Sequence, residues 1–89
     1  MPTIASFYGI IIQMFFNDHN PPHFHARYGN AKALVRISDG RVISGELPLT
    51  ARRLVEQWAV TRRAELEENW RRARAKRRLE KVAGPDADG

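Results

Sequence analysis

In the first half of the chain, hydrophobic and polar positions follow the two-residue period of β-strands. The first apolar run, GIIIQMFF, ends in the Pro-containing segment 17–22, which neither a helix nor a central strand accommodates. Further on, Ser38-Asp39-Gly40 has the composition of a short turn. The pattern predicts four strands, at residues 9–16, 23–28, 31–37 and 41–47. We therefore expect a mostly antiparallel meander.

The period changes to that of a helix at Pro48. Proline is favoured in the first helical turn, and the Thr50 side chain can cap free backbone N–H groups there. Beyond it, the apolar residues fall within an arc of about 160° at about 100° per residue. They are Ala51, Leu54, Val55, Trp58, Ala59, Leu66, Trp70 and Ala73. This spacing predicts one long amphipathic helix over residues 49–78.

Arg62 stands near the middle of this apolar arc. Three explanations stay open: the helix kinks at Thr61 to Arg63, the guanidinium stacks on Trp58 and reaches a carboxylate of the sheet, or the long side chain extends to solvent. The expected core consists of Ile10, Ile12, Met14, Phe16, Phe24, Tyr28, Val35, Ile37, Leu47, Leu54, Val55, Trp58, Leu66 and Trp70.

The predicted fold class is α+β, with the four-stranded sheet packed on one long C-terminal helix. A chain of 89 residues supports one domain, which we place at residues 1–80, followed by a disordered tail at 81–89. The absence of Cys excludes disulfides and Cys-ligated metals. The longest apolar run has about ten residues, half of what a membrane-spanning helix needs, and the start lacks a secretory signal. We expect a cytoplasmic protein without membrane contact.

The positive charge is concentrated near the C-terminus. The net charge is +5, and residues 71–89 carry seven Lys or Arg against three acidic residues. The cations of this basic helix end are Arg71, Arg72, Arg74, Lys76, Arg77 and Arg78. Such a block attracts nucleic acid or an acidic protein partner, and salt weakens that attraction. The alternative is an ordinary solvated helix end.

All three histidines lie within residues 19–25. If residues 23–28 form a strand, His23, His25 and Arg27 share one face, while the intervening apolar side chains face the core. Two imidazoles would then lie side by side on one strand, a spacing that suits a metal ion or a phosphate.

Three hypotheses remain for this cluster. In the first, His23 and His25 bind zinc or another divalent transition metal, and His19 or Asp18 completes the ligand set. In the second, His23 and His25 are the general acid and base of a metal-independent ribonuclease, with Arg27, Lys32 or Arg36 stabilising the transition state. In the third, the imidazoles are structural or belong to a protein-binding surface, and no cofactor is required.

The chain resembles a small prokaryotic family that is defined only as a domain of unknown function, numbered four-one-six-zero. The resemblance covers about residues 1–80 and is carried by the phrases MPTI, FYGI, MFFNDH, PPHFHARYG, GELP, WA and ENW. It implies a compact α+β domain in a bacterial cytoplasmic protein, whose gene often lies beside that of another small protein, as in toxin-antitoxin pairs. The chain departs from the family at Arg62, where relatives often carry His, which weakens any catalytic role for that position.

These observations favour a non-enzymatic binding protein over an enzyme. We expect it to act in a pair with a small protein encoded nearby, through the His-bearing sheet face and the basic helix end. Nucleic acid is an alternative partner for the helix end. Apolar surface on the far side of a two-layer domain also favours a homodimer.

Overall fold

The computed structural model describes residues 3–16 and 19–85. The described elements are β1 (Thr3–Phe7), β2 (Ile10–Gln13), β3 (His23–Tyr28), β4 (Ala31–Arg36), β5 (Val42–Glu46), α1 (Leu49–Thr61) and α2 (Arg63–Arg74). The five strands form one sheet in the order in which they occur in the sequence, and every neighbouring pair is antiparallel. The α+β class and the antiparallel meander are therefore confirmed.

The sheet has one strand more than the four predicted. β1 pairs with β2 through a two-residue turn, in which Tyr8 and Gly9 both have positive φ, as tight hairpin turns require. The sequence of β1, TIASF, contains small residues and places Ile4 and Ala5 side by side in the core, so it lacks clear alternation. This weak pattern is why the first strand was not predicted.

The other strands lie where the sequence placed them, and three of them are shorter than predicted. β3 has the predicted bounds because Pro22 and Gly29 delimit it. β2 ends at Gln13, so Met14 is buried as part of the connection that follows. The segment after β2 includes residues 17 and 18, which lie outside the described residues.

The prediction of one continuous helix over residues 49–78 is wrong. Arg62 interrupts it with φ of −105° and ψ of 22°, although Arg62 N still donates to the carbonyl of Trp58 and Leu66 N to that of Arg62. The interruption allows both helices to bury an apolar stripe while the Arg62 side chain stays partly exposed and pairs with Glu65 at 3.4 Å. Of the three explanations, the kink is observed. The second helix ends at Arg74 because Lys76 has φ of 57°.

The core lies between the helices and one face of the sheet. Trp58 of α1 is central, with its ring centroid 5.1 Å from that of Phe7 and 5.7 Å from that of Phe24. Most predicted core residues are buried, and Phe16 and Leu54 pack against them while partly exposed. Tyr28 is a wrong prediction, since it is 40% exposed at the end of β3.

The chain after α2 returns across the domain as far as Pro85. Val82 is buried, and its N–H donates to the carbonyl of Ile4 on the outer edge of β1 at 2.8 Å. The Asn69 amide holds Glu80 by two backbone hydrogen bonds of 2.8 Å, and Trp58 Nε1 donates to the carbonyl of Ala83. The predicted disordered tail therefore includes five described residues that contact the domain, and residues 86–89 lie outside the described part.

Neither helix among the described residues has the length and apolar character that a bilayer crossing needs.

Candidate functional site

The helices leave the second face of the sheet open. Along β3, Phe24 and Ala26 are fully buried under the helices, whereas His25 is half-buried and Arg27 is exposed. Cross-strand partners share a face, and Arg27 lies opposite Ile11 and Lys32. We call this surface the open face; it includes Ile11, Gln13, His25, Arg27, Lys32, Leu34, Ser44 and Glu46.

A shallow depression of about 420 Å³ lies on the open face. Its residues come from β2, β3, β4 and β5 and from the segment just after β2: Gln13, Phe15, His25, Arg27, Lys32, Ala33, Leu34, Ser44 and Gly45. The depression combines apolar surface with two cations and several hydrogen-bonding groups. This is the usual composition of a binding site.

The two histidines of β3 have different environments. His23 is buried, its Nδ1 donates to the carbonyl of Pro21 at 2.9 Å, and its ring lies 5.4 Å from that of Trp70. His25 is partly exposed, lines the depression, and meets Phe15 edge-to-face at 4.5 Å between ring centroids. The two imidazoles are 5.4 Å apart. His25 is thus the imidazole that a ligand can reach, and the ribonuclease hypothesis stays a prediction.

The proposed metal ligands are not assembled within the described residues. His19 is exposed before β3, and no three His, Cys, Asp or Glu side chains of residues 3–16 and 19–85 form a group that could hold an ion. Asp18, the fourth predicted ligand, lies outside the described part of the chain. Zinc binding stays a prediction.

The cations on and near the open face divide into paired and unpaired groups. Arg36 forms a bidentate pair with Asp39 in the turn between β4 and β5, with Nε 3.1 Å from Oδ1. Through this hydrogen bond, Arg36 lowers the pKa of Asp39 to about 2. Arg27 and Lys32, in contrast, take part in none of the ion pairs among the described residues.

The basic helix end also contains both kinds of cation. Arg71 and Arg72 contact Glu68 at 2.9 and 3.2 Å, and these contacts lower the pKa of Glu68. The other four predicted cations are exposed and form no ion pair within the described residues: Arg74, Lys76, Arg77 and Arg78. The positively charged surface available to a partner is therefore centred on residues 74–78.

The contact between His23 and Trp70 joins β3 to α2. Trp70 lies on α2, and Arg74 follows it by four residues, which places both on one side of the helix. The His23 ring lies 5.4 Å from both the Trp70 ring and the His25 ring, and His23 and Trp70 are both buried. The contact thus holds α2, which leads into the basic helix end, against the strand that carries His25 and Arg27.

Several residues of the depression were not predicted as site residues. They include Phe15, Leu34, Ser44 and Gly45. Alternation along β4 could have placed Leu34 on the face of Lys32. The position of Ser44 depends on the register of β5, which shifts between Leu34 and Val35, and no sequence signal indicates that shift.

The fold and the site define a small α+β domain with one covered and one open sheet face. A family model described as a domain of unknown function, DUF4160, matches residues 9–71. Since this match spans more than half of the chain, the protein belongs to the DUF4160 family. Comparison with curated proteins and with solved structures found no match.

Proposed function

We propose that the protein is a non-enzymatic binding protein that acts in a pair with a second small, acidic protein, in an arrangement like that of toxin-antitoxin pairs. The observation that carries the proposal is the His23–Trp70 contact, at 5.4 Å between ring centroids. It packs α2, which leads into the basic helix end, against β3, which carries His25 and Arg27 of the open face. A partner that covers both the open face and the basic helix end would meet the depression and two groups of cations.

The charge of this surface favours an acidic partner. Arg27 and Lys32 on the open face and the cations at residues 74–78 all lack ion pairs within the described part of the chain. Carboxylates on the partner would pair with them and would also accelerate association. A second copy of this chain carries a net charge of +5 and the same cations, so mutual repulsion makes a homodimer the weaker alternative.

The test is calorimetric titration with the small protein encoded beside this chain's gene. We expect a complex of one copy of each protein, whose Kd rises steeply between about 50 and 200 mM salt because several charge pairs form. Light scattering on each protein alone and on the mixture separates this complex from a homodimer. If the two proteins do not associate at low salt, the proposal is wrong.

Matched double variants test the role of the basic helix end. Arg77→Gln with Arg78→Gln removes two unpaired charges. Arg52→Gln with Arg53→Gln removes the same net charge from the exposed side of α1, where Arg52 lies 3.8 Å from Glu56. We expect the first double variant to weaken binding about tenfold or more and the second to change it little. Equal effects would mean that only net charge matters and would reject this surface.

A further inference from the structure

We propose that the acidic partner anchors itself by one carboxylate, carried beside an apolar side chain, which occupies the depression on the open face and lies between Arg27 and Lys32. This inference rests on the proposed function, because it specifies what the partner must present. It assigns the chemical class of the group that the depression receives.

The shape of the depression is part of the fold. On β5, Ser44 and Gly45 contribute little side-chain volume. Gly45 has φ of 77°, and a Cβ at this position would collide with the carbonyl oxygen of Lys32. Only glycine is therefore accommodated here without strain. The side of the depression that β5 forms is therefore shaped by the backbone and does not depend on a movable side chain.

The two cations of the depression lie on adjacent strands, where one anionic group could contact both. Arg27 and Lys32 are direct cross-strand partners, and like charges in that position repel each other. Glu46 lies opposite Lys32 on β5 but is not within ion-pair distance of it among the described contacts. A carboxylate between the two cations would offset their repulsion, and the planar guanidinium of Arg27 can bind its two oxygens together.

The remaining lining of the depression requires an apolar group. Phe15 and Leu34 contribute apolar surface, and the Phe15 ring is fixed edge-to-face against His25 at 4.5 Å. An anion without an apolar neighbour would leave this surface in water. Aliphatic or aromatic carbon next to the carboxylate would cover it and contribute favourable burial.

Two features favour a protein segment over other sources of anionic groups. The depression is open to solvent over much of its area, whereas small-molecule sites bury about 70–90% of their ligand. Nucleic acid brings many phosphates, but this part of the open face offers two unpaired cations with the Glu46 carboxylate beside them. An extended protein segment with one carboxylate matches this balance of charge.

The test uses two hexapeptides, one with a single Glu between two Leu residues and one with Gln in place of Glu, titrated into isotope-labelled protein and followed by NMR. We expect the Glu peptide to shift the amide signals of Leu34, Ser44 and Gly45. The Gln peptide should bind the unchanged protein about tenfold more weakly, and the Glu peptide should bind Arg27→Gln about tenfold more weakly. The Gln peptide should bind Arg27→Gln no more weakly than either single change predicts, because both changes remove the same contact. Arg53→Gln, which removes the same charge from exposed α1, should bind as the unchanged protein does.

Equal binding of the Glu and Gln peptides would overturn the proposal, as would shifts confined to the helices. Stronger shifts of the same amides with hexauridylate than with the Glu peptide would also overturn it and identify nucleic acid as the ligand. The neighbouring protein is titrated in parallel into Arg27→Gln. If the neighbouring protein binds Arg27→Gln as tightly as the unchanged protein, the proposed carboxylate anchor is wrong and the proposed function stands. If it binds neither protein, the proposed function itself is wrong.

Discussion

The two faces of the sheet are made by alternating residues of the same strands, yet they carry different kinds of side chain. On β3, Phe24 and Ala26 are fully buried against the helices, while His25 and Arg27 face the open side. On β4, Val35 is buried and Lys32 is exposed. The covered face holds the domain together, whereas the open face carries polar and charged side chains that are mostly partly or fully exposed. Function is therefore expected at positions whose substitution costs little stability.

The covered face should be the most sensitive to truncation. Phe24→Ala removes a fully buried ring that contacts Trp58 edge-to-face. We expect a loss of about 3–5 kcal/mol in the free energy of unfolding, a large part of the total for a small domain. Urea unfolding followed by Trp fluorescence measures it. A loss below about 1 kcal/mol would contradict the assignment of Phe24 to the core.

Asn69 is a buried polar residue that supports the fold, unlike the polar residues of the open face. Its side chain is 1% exposed and makes two hydrogen bonds with the backbone of Glu80. Asn69→Ala should cost about 1–3 kcal/mol, since it leaves those backbone groups without partners. The amide of Val82, which bonds to Ile4, should then exchange with solvent faster, while the amides of β3 exchange as before. Unchanged exchange at Val82 would mean that the segment is held without Asn69.

The two histidines of β3 allow the two environments to be compared on one strand. His23→Ala removes a buried ring with a hydrogen bond to Pro21 and a contact with Trp70, so about 1–2 kcal/mol of stability should be lost. His25→Ala removes a partly exposed ring and should cost less than about 1 kcal/mol. Thermal unfolding of both variants measures the difference. The reverse order would contradict the division of roles between the histidines.

The smallest effect is expected at the turn between β4 and β5. Because Arg36 holds the pKa of Asp39 at about 2, below the usual value of about 3.9, the pair stabilises the folded state above pH 4. This contribution is lost as the pH falls towards 2. Asp39→Asn should therefore lower the urea midpoint slightly at pH 6, and its difference from the unchanged protein should shrink steadily as the pH falls from about 4 to about 2. A constant difference across this range would contradict the pairing.

Much of the fold could be predicted from alternation and turn composition. The bounds of β3 followed from HFHARY between Pro22 and Gly29, since polar and apolar residues alternate there. β1 was missed because Ala5 and Ser6 carry too little hydrophobic signal. The kink was indicated by Arg62 in the apolar arc, but the sequence could not choose among three ways of placing that side chain.

Less of the site could be predicted, because it depends on contacts between distant residues. Alternation along residues 23–28 predicted a common face for His25 and Arg27, which is confirmed. Alternation and turn composition could not place Ser44 beside Leu34, because the register of β5 shifts between Leu34 and Val35. The pairing of Arg27 with Lys32, in contrast, follows from the two-residue turn between β3 and β4. The contact of His23 with Trp70, 47 positions later in the chain, had no local signal.

We propose that the partner contacts both the open face and the basic helix end. The NMR footprint of the proposed partner, the small protein encoded nearby, on isotope-labelled protein tests this. We expect the amide signals of Arg27, Leu34, Ser44 and Gly45 and of residues 74–78 to shift or broaden on binding, while those on the exposed side of α1 do not. A footprint centred on α1, with the open face unchanged, would contradict it.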